Sequence, residues 1–271
     1  RKRSCASSGS VRKDLYVMNK SERQQEILKL LTSKERVDIT ELCDIFHIVP
    51  MTARRDLKEL EQQGKLIRTH GGAALPPEKE DVNLPFFQRT KIHAAQKLAI
   101  AARAQSFLQK HQHIFLASGT TVHAFAQSID RSLPLTVITD AVNIAYELSS
   151  YPNIHLLSVG GELRPNSLTL TGKIAEDNLS NFHLDAAFIG INGIDSEGSI
   201  YVSSIVESSI LQILFDRVPN IYILADDSKI NQKDFVQVGS LNSSHTLITT
   251  GEISDVCLEK YQTLGANVII A

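Results

Sequence analysis

Residues 50–75 read PMTARRDLKELEQQGKLIRTHGGAAL, and the fold of the N-terminal part turns on how they divide. Pro50 suits the first turn of a helix, where its missing N–H costs nothing, and Gly64 suits the exit. At 100° per residue along 50–63, Ala53, Leu57 and Leu60 fall within about 60° of one another and define a buried face. Arg54, Lys58, Met51 and Arg55 lie on the opposite side, and Thr52 sits at the N-terminal end. Lys65 to His70 then reads as a strand, Gly71-Gly72 as a turn, and Ala73 to Leu75 as the returning strand of a hairpin. Upstream, Ser21 with Gln24 resembles a capping box ahead of Ile27, Leu30 and Leu31 at helical spacing. Residues 37–39 read as a short extended piece. Thr40 reads as the cap of a second helix that turns Leu42, Ile45 and Phe46 inward, and 47–49 as the turn after it.

Helix, helix, turn, helix and hairpin over residues 18–75 are the parts of a winged helix-turn-helix, mainly α with a β hairpin. In such a module the second helix of the turn reads DNA with its N-terminal half. Met51, Thr52, Arg54, Arg55 and Lys58 are the candidate contacts. Arg can bond guanine in bidentate fashion, Thr can touch a thymine methyl, and Lys neutralises phosphate. Arg68 and His70 on the hairpin can reach phosphate or the minor groove. The plainer alternative is a solvated helix face, since Asp56, Glu59 and Glu61 permit i,i+4 pairs such as Arg55 with Glu59.

Charge and composition agree with a two-part chain. The 271 residues are 42% apolar with a net charge of −2, too apolar for a disordered chain. Residues 1–75 hold 15 Lys and Arg against 10 Asp and Glu, whereas 76–271 hold 13 against 20. Much of the basic excess lies in residues 1–17, which read as a disordered tail or an extension upstream of Met18. No apolar run is long enough to span a membrane. Cys5, Cys43 and Cys257 are far apart, which argues against a disulfide framework and for a cytoplasmic protein. His111 and His113 would share one strand face but suit a surface loop better than a metal. No metal and no cofactor is expected.

Residues 76–90, with Pro76, Pro77 and Pro85, read as a linker. From residue 91 onward helix and apolar strand alternate. The strands are expected at 114–117, 135–139, 154–159, 186–191, 221–225, 246–249 and 268–270. The helices between them are expected at 122–129, 142–148, 205–216 and 255–264. Continuous apolar runs of this kind form strands buried on both faces, so 91–271 is expected to be an α/β domain with a largely parallel sheet. Four loops follow strand ends: Ser118-Gly119-Thr120-Thr121, Thr139-Asp140, Gly160-Gly161, and Asp226 to Lys229. In an open α/β sheet such loops converge on a ligand crevice. Ser118 to Thr121 can cradle an anion at a helix N-terminus, Lys229 can supply charge, and Gly160 and Gly161 would let backbone approach a ligand. Together they favour a phosphorylated ligand.

The run Thr52-Ala-Arg-Arg-Asp-Leu57, with Leu60-Glu61, Gly64, Leu66, Arg68 and His70-Gly-Gly-Ala73, resembles the signature of DeoR-type bacterial transcriptional repressors. Pro50 stands where that signature has Ser, and Ala53 where it has Ile. The C-terminal half resembles the effector domain of the same family, which is similar in turn to ribose-5-phosphate isomerase. Its landmarks here are Gly119-Thr-Thr121, Gly160-Gly161, Gly190-Ile-Asn-Gly-Ile-Asp195, Glu207 and Ala225-Asp-Asp-Ser-Lys229. The resemblance implies that a sugar phosphate binds with its phosphate at residues 118–121, that Arg164 and Glu207 touch the sugar, and that binding alters DNA affinity. Asp140 stands where the family commonly has Asn.

The isomerases carry an acidic motif and a Lys-Gly-rich segment, which supply catalytic acid and base. Here those positions read Ile189-Gly-Ile-Asn192 and Ser199-Ile-Tyr-Val202, so no catalytic residue is expected. The expected function is a DNA-binding repressor of a carbohydrate catabolic operon, relieved by a phosphorylated sugar. Its expected partners are palindromic operator DNA, the effector, and further copies of the chain in a dimer or larger assembly. The competing readings are a sugar-phosphate isomerase-like enzyme with an appended nucleic-acid domain, and an RNA-binding or pure interaction module.

Overall fold

Asn19, not Ser21, starts the first helix. Its Oδ1 accepts from the Glu22 N–H at 3.0 Å, and its own N–H donates to Glu22 Oε2 at 3.2 Å, a reciprocal capping box two residues earlier than expected. The computed structural model describes residues 18–34, 36–62, 65–69, 71–74, 84–251 and 253–271. The tail 1–17, Gly64, His70, Leu75 of the expected hairpin and residues 76–83 of the expected linker lie outside the described residues.

The N-terminal unit contains α1 (Lys20–Lys34), β1 (Arg36–Asp38), α2 (Ile39–Phe46), α3 (Pro50–Gln62), β2 (Ile67–Arg68) and β3 (Gly72–Ala74). The expected extended piece is β1, and it joins the hairpin in a three-stranded antiparallel sheet of order β1-β3-β2. Asp38, not Thr40, precedes α2, and it makes no side-chain capping bond. His47 closes α2 in the left-handed conformation and lets the chain turn into α3. Ala53, Leu57 and Leu60 are buried as the helical angles require, and pack with Ile27, Leu31, Val37 and Leu42. Cys43 packs beside this core.

Phe86–Arg89, inside the stretch expected to be linker, is a short helix (α4) with Phe86 buried. The chain continues through α5 (Ala94–Ala104), β4 (His113–Leu116), α6 (Thr120–Ser128), β5 (Leu135–Thr139), α7 (Val142–Leu148) and β6 (Ile154–Ser158). Then follow β7 (Glu162–Arg164), β8 (Thr169–Thr171), α8 (Lys173–Leu179), β9 (Ala186–Ile189), β10 (Gly193–Ile194), β11 (Ser199–Val202) and α9 (Ile205–Arg217). The last elements are β12 (Ile221–Leu224), β13 (Val236–Ser240), β14 (His245–Thr249), α10 (Asp255–Thr263) and β15 (Asn267–Ile270).

All seven expected strands form one parallel sheet of order β15-β14-β12-β9-β4-β5-β6. Alternate residues feed two cores, one on each face. Phe115, Ile138, Ala187, Ile189, Ile223 and Leu247 point to one side, and Ile114, Leu116, Val137, Phe188, Leu224 and Ile248 to the other. This two-sided burial is why the strands read as unbroken apolar runs. The order reverses between β4 and β9, because the chain runs outward through β5 and β6 and later returns to the far side. Ligand crevices form at such a switch point. A small antiparallel sheet, β10-β11-β13, and the hairpin β7-β8 lie outside this pattern. Among the described residues no helix is long and apolar enough to cross a membrane.

Candidate functional site

The outer face of α3, which holds the candidate DNA contacts, is cleared of the helix's own acids by neighbouring elements. Asp56 is fully buried and paired with Arg23 Nε of α1 at 2.6 Å. Glu59 receives Lys20 at 2.6 Å and Gln24 at 2.9 Å. Glu61 pairs with Lys91 at 2.9 Å and approaches Arg68 at 3.8 Å. Arg54, Arg55, Lys58 and Met51 stay exposed, with Thr52 half-buried at the helix start. Arg55 does lie 3.6 Å from Glu59, but 78% of its side chain remains open to solvent, so the pair leaves the guanidinium accessible. Arg68 is exposed on β2 and leans toward Glu61 at the C-terminal end of α3.

A cavity of about 250 Å³ opens at the switch point of the sheet. Eight of the residues expected to bind effector line it: Ser118, Gly119, Thr120, Thr121, Asp140, Arg164, Glu207 and Lys229. The first four join β4 to α6. Gly119 has φ 143°, which suits glycine, and its backbone packs on Gly190 after β9. This places the N-terminal turn of α6 at the cavity wall, where helix amides point outward from the end of the helix. Lys229 comes from the turn after β12. Asp226 caps that turn by accepting from the Ser228 N–H at 3.0 Å, and Lys229 is buried as a result. Arg164 is braced by Ser204 Oγ at 2.8 Å and Glu207 at 3.6 Å, and Glu207 also accepts from Ser167 Oγ at 2.8 Å.

Asp140 shapes the electrostatics of the cavity. Burial pushes its carboxyl up to about 7, the nearby Glu207 charge adds to the rise, and a 2.8 Å bond from the Ser118 N–H opposes it. The other charged groups lining the cavity are Arg89, Arg164, Glu207 and Lys229. Three cations face two carboxylates in the lining, a positive excess suited to an anion, and the raised Asp140 carboxyl enlarges that excess as pH falls below 7.

Three expected ligand residues do not line this cavity. Thr139 is fully buried, and its hydroxyl donates to the Leu116 carbonyl at 2.6 Å and accepts from the Ala141 N–H at 3.0 Å, which locks the ends of β4 and β5 together. Gly160 and Gly161 follow β6, the edge strand of the sheet, and turn into β7 rather than toward the switch point. Gly161 has φ 111°, and a Cβ there would sit 2.4 Å from the Thr171 carbonyl, so hairpin packing explains this glycine. Asp195, the last residue of the 190–195 landmark, does not line the cavity either. It holds the β10–β11 turn by accepting from the Glu197 and Ser199 N–H groups and the Tyr201 hydroxyl.

Arg89, Asn166, Ser167, Asn192, Ser203 and Ser204 also line the cavity and were not expected. Asn192 follows β9, so the strand-end rule applied to that strand would have found it. Ser204 looks like an ordinary cap of α9, but its hydroxyl is turned to Arg164 instead. Arg89 and Asn166 carry no local signal. His111 sits in a turn and His113 opens β4 beside Asp185 at 3.5 Å. Among the described residues no group of His, Cys, Asp or Glu is arranged to hold a metal.

Comparison with known proteins matches both halves. The model of the DeoR-like helix-turn-helix domain fits residues 23–79, and that of the DeoR C terminal sensor domain fits residues 92–251. The chain belongs to the DeoR family of transcriptional regulators. A regulator named YulB from Bacillus subtilis (strain 168) is 33% identical over 84% of this chain and 88% of its own length. The glycerol-3-phosphate regulon repressor of Escherichia coli (strain K12) is 30% identical over 86% of this chain and 91% of its own. The lactose phosphotransferase system repressor of Lactococcus lactis subsp. lactis is 32% identical over 90% of this chain and 96% of its own. A ribose 5-phosphate isomerase from Methanocaldococcus jannaschii overlaps 51% of this chain and 55% of its own, at 17% identity and a TM-score of 0.38. In this DeoR-family chain the helix-turn-helix match contains α3, and the sensor match contains every cavity residue named above except Arg89.

Proposed function

We propose that this regulator is a repressor of a carbohydrate catabolic operon, and that a phosphorylated sugar metabolite in the sensor cavity lowers its affinity for operator DNA. The observation that carries the reading is the joining of the residue 118–121 loop, at the N-terminus of α6, with buried Lys229 in one cavity at the sheet's switch point. An anion there meets helix amides, hydroxyls and a cation together. Met51, Thr52, Arg54, Arg55 and Lys58 are the proposed DNA contacts, together with Arg68 on the wing and His70 two residues further along the sequence. Relatives named as repressors of glycerol-3-phosphate and lactose phosphotransferase regulons support a phosphorylated effector.

A binding role also suits the carboxylates better than catalysis. Glu207 is engaged by Ser167 and Arg164, and Asp140 by the Ser118 amide. A dimer or larger homo-oligomer fits a palindromic operator. The test is titration of the full chain onto duplex DNA from upstream of its own gene at fixed salt. It is run with and without glycerol 3-phosphate, ribose 5-phosphate and hexose phosphates, and with the neutral sugars as controls. Tight, sequence-dependent binding that one phosphate ester weakens and its neutral sugar does not is the expected result. Binding that no phosphate ester changes would overturn the sensing half.

A further inference from the structure

Between the two matched domains lies α4, and its last residue enters the cavity. Phe86 is buried with its ring edge-on to His123 of α6 at 5.3 Å. Its N–H donates to the carbonyl of Asn166, a cavity residue, at 3.1 Å. At the other end, Lys97 Nζ of α5 donates to the Arg89 carbonyl at 2.7 Å. The helix is therefore held at one end by a cavity residue and at the other by α5, and Arg89 itself lines the cavity. The Arg89 Nε is buried and has no hydrogen-bond partner among the described residues. A guanidinium nitrogen withdrawn from water without an acceptor is unfavourable, and an oxyanion in the cavity would relieve it. The planar fork of Arg fits phosphate oxygens two at a time. Arg164, the other guanidinium in the cavity, already has Ser204 and Glu207. Two residues beyond Arg89, Lys91 reaches the other domain and pairs with Glu61 of α3 at 2.9 Å. That pair is half exposed on the Lys side, so it exchanges easily with water.

We infer that Arg89 is a ligand for the effector's anionic group, and that the segment from Arg89 to Lys91 links the occupied cavity to the reading helix. The inference rests on the proposal that the cavity takes a phosphorylated ligand. An anion on Arg89 pulls at one end of a five-residue segment running from Arg89 to His93, and Lys91 in its middle carries the exchangeable pair to Glu61 of α3. Occupancy is thereby converted into a change in how α3 is held, without any contact between effector and DNA-binding residues.

The test measures binding of inorganic phosphate to the full chain by calorimetry, with chloride at matched ionic strength as the control. Hydrogen exchange of α3 amides is followed in the same samples. Arg89→Ala is expected to weaken phosphate binding roughly tenfold or more, and Arg89→Lys to recover part of the loss. Phosphate is expected to change α3 exchange in the wild type and in Lys91→Arg. In Lys91→Glu that response should vanish while phosphate affinity stays within about twofold. Should Lys229→Ala lose phosphate while Arg89→Ala keeps it, the cavity reading stands and the role of Arg89 is refuted. If the wild type binds no phosphate, the cavity reading falls and this inference with it. Phosphate binding that leaves α3 exchange unchanged in the wild type overturns the link.

Discussion

The two halves of the molecule treat charge in opposite ways. In the reader, α3 carries acids and bases in near alternation, and folding sorts them. Asp56, Glu59 and Glu61 are drawn to Arg23, Lys20 and Lys91, which leaves Arg54, Arg55 and Lys58 in water. In the sensor, charges are gathered out of water into one cavity, where Asp140 and Lys229 are both buried. DNA is a long polyanion that can be met by an exposed surface. A small metabolite must be surrounded to be held selectively. The contrast teaches that a single helix suffices for the first task, whereas the second needs loops that only a folded sheet brings together.

The sharpest way to break the contrast is to disturb the sorting itself. Arg23→Ala leaves Asp56 buried without its partner, at a cost of about 3–5 kcal/mol. Thermal unfolding should then show loss of the N-terminal transition, and DNA binding should go with it. Phosphate protection of the sensor should persist. Loss of both halves together would mean that the units are not independent.

Lys229→Ala tests the other side. Removing a buried cation from an anion site should weaken effector binding by about 2–5 kcal/mol, with DNA affinity in the absence of effector unchanged. A variant still released from DNA at the wild-type effector concentration would contradict the assignment. Arg55→Ala is expected to cost about 1–3 kcal/mol at the base pair it reads, and to relax discrimination there. A competition assay with single-base operator variants checks this, and unchanged discrimination would reduce Arg55 to a phosphate contact or a bystander.

The smallest expected effect is one of pH. The Asp140 carboxyl lies raised to about 7 from 3.8, so it is neutral in acid and charged above pH 7. A charged Asp140 repels a phosphate dianion, so effector affinity should fall as pH rises through 7, by at most about 1.4 kcal/mol per pH unit. Phosphate itself titrates near 6, in the direction of stronger binding as pH rises. Asp140→Asn keeps that second effect and loses the first, so the wild-type decline above pH 7 should vanish in the variant. Identical profiles for the two proteins would show that Asp140 does not sense the ligand.

Sequence alone made the sheet legible because its central strands are buried on both faces. Runs such as Leu135–Thr139 and Ile221–Leu224 announce themselves without any partner. The α3 face was legible for a similar reason, since Ala53, Leu57 and Leu60 repeat at the helical period. Elements with weaker patterns were missed. The β10-β11-β13 sheet is built from short strands of two, four and five residues, and α4 is a single turn hidden among prolines and charges. The cavity was half legible. Loops at central strand ends were found because β4, β5 and β12 surround the switch point. Gly160 and Gly161 were over-read because sequence does not reveal that β6 lies at the edge. Arg89, Asn166 and Ser167 were invisible because tertiary contact alone brings α4 and the hairpin to the cavity.

Thermodynamic reciprocity tests the central claim most directly, because a ligand that weakens DNA binding must itself be weakened by DNA to the same degree. Once the titration has found a phosphate ester that releases the operator, its affinity can be measured by calorimetry on the free protein and on the protein saturated with operator duplex. The account predicts that DNA lowers the affinity by the same factor by which the ester lowers operator binding. Equal affinity for the free and DNA-bound protein would contradict it, and would separate the cavity from the reading helix.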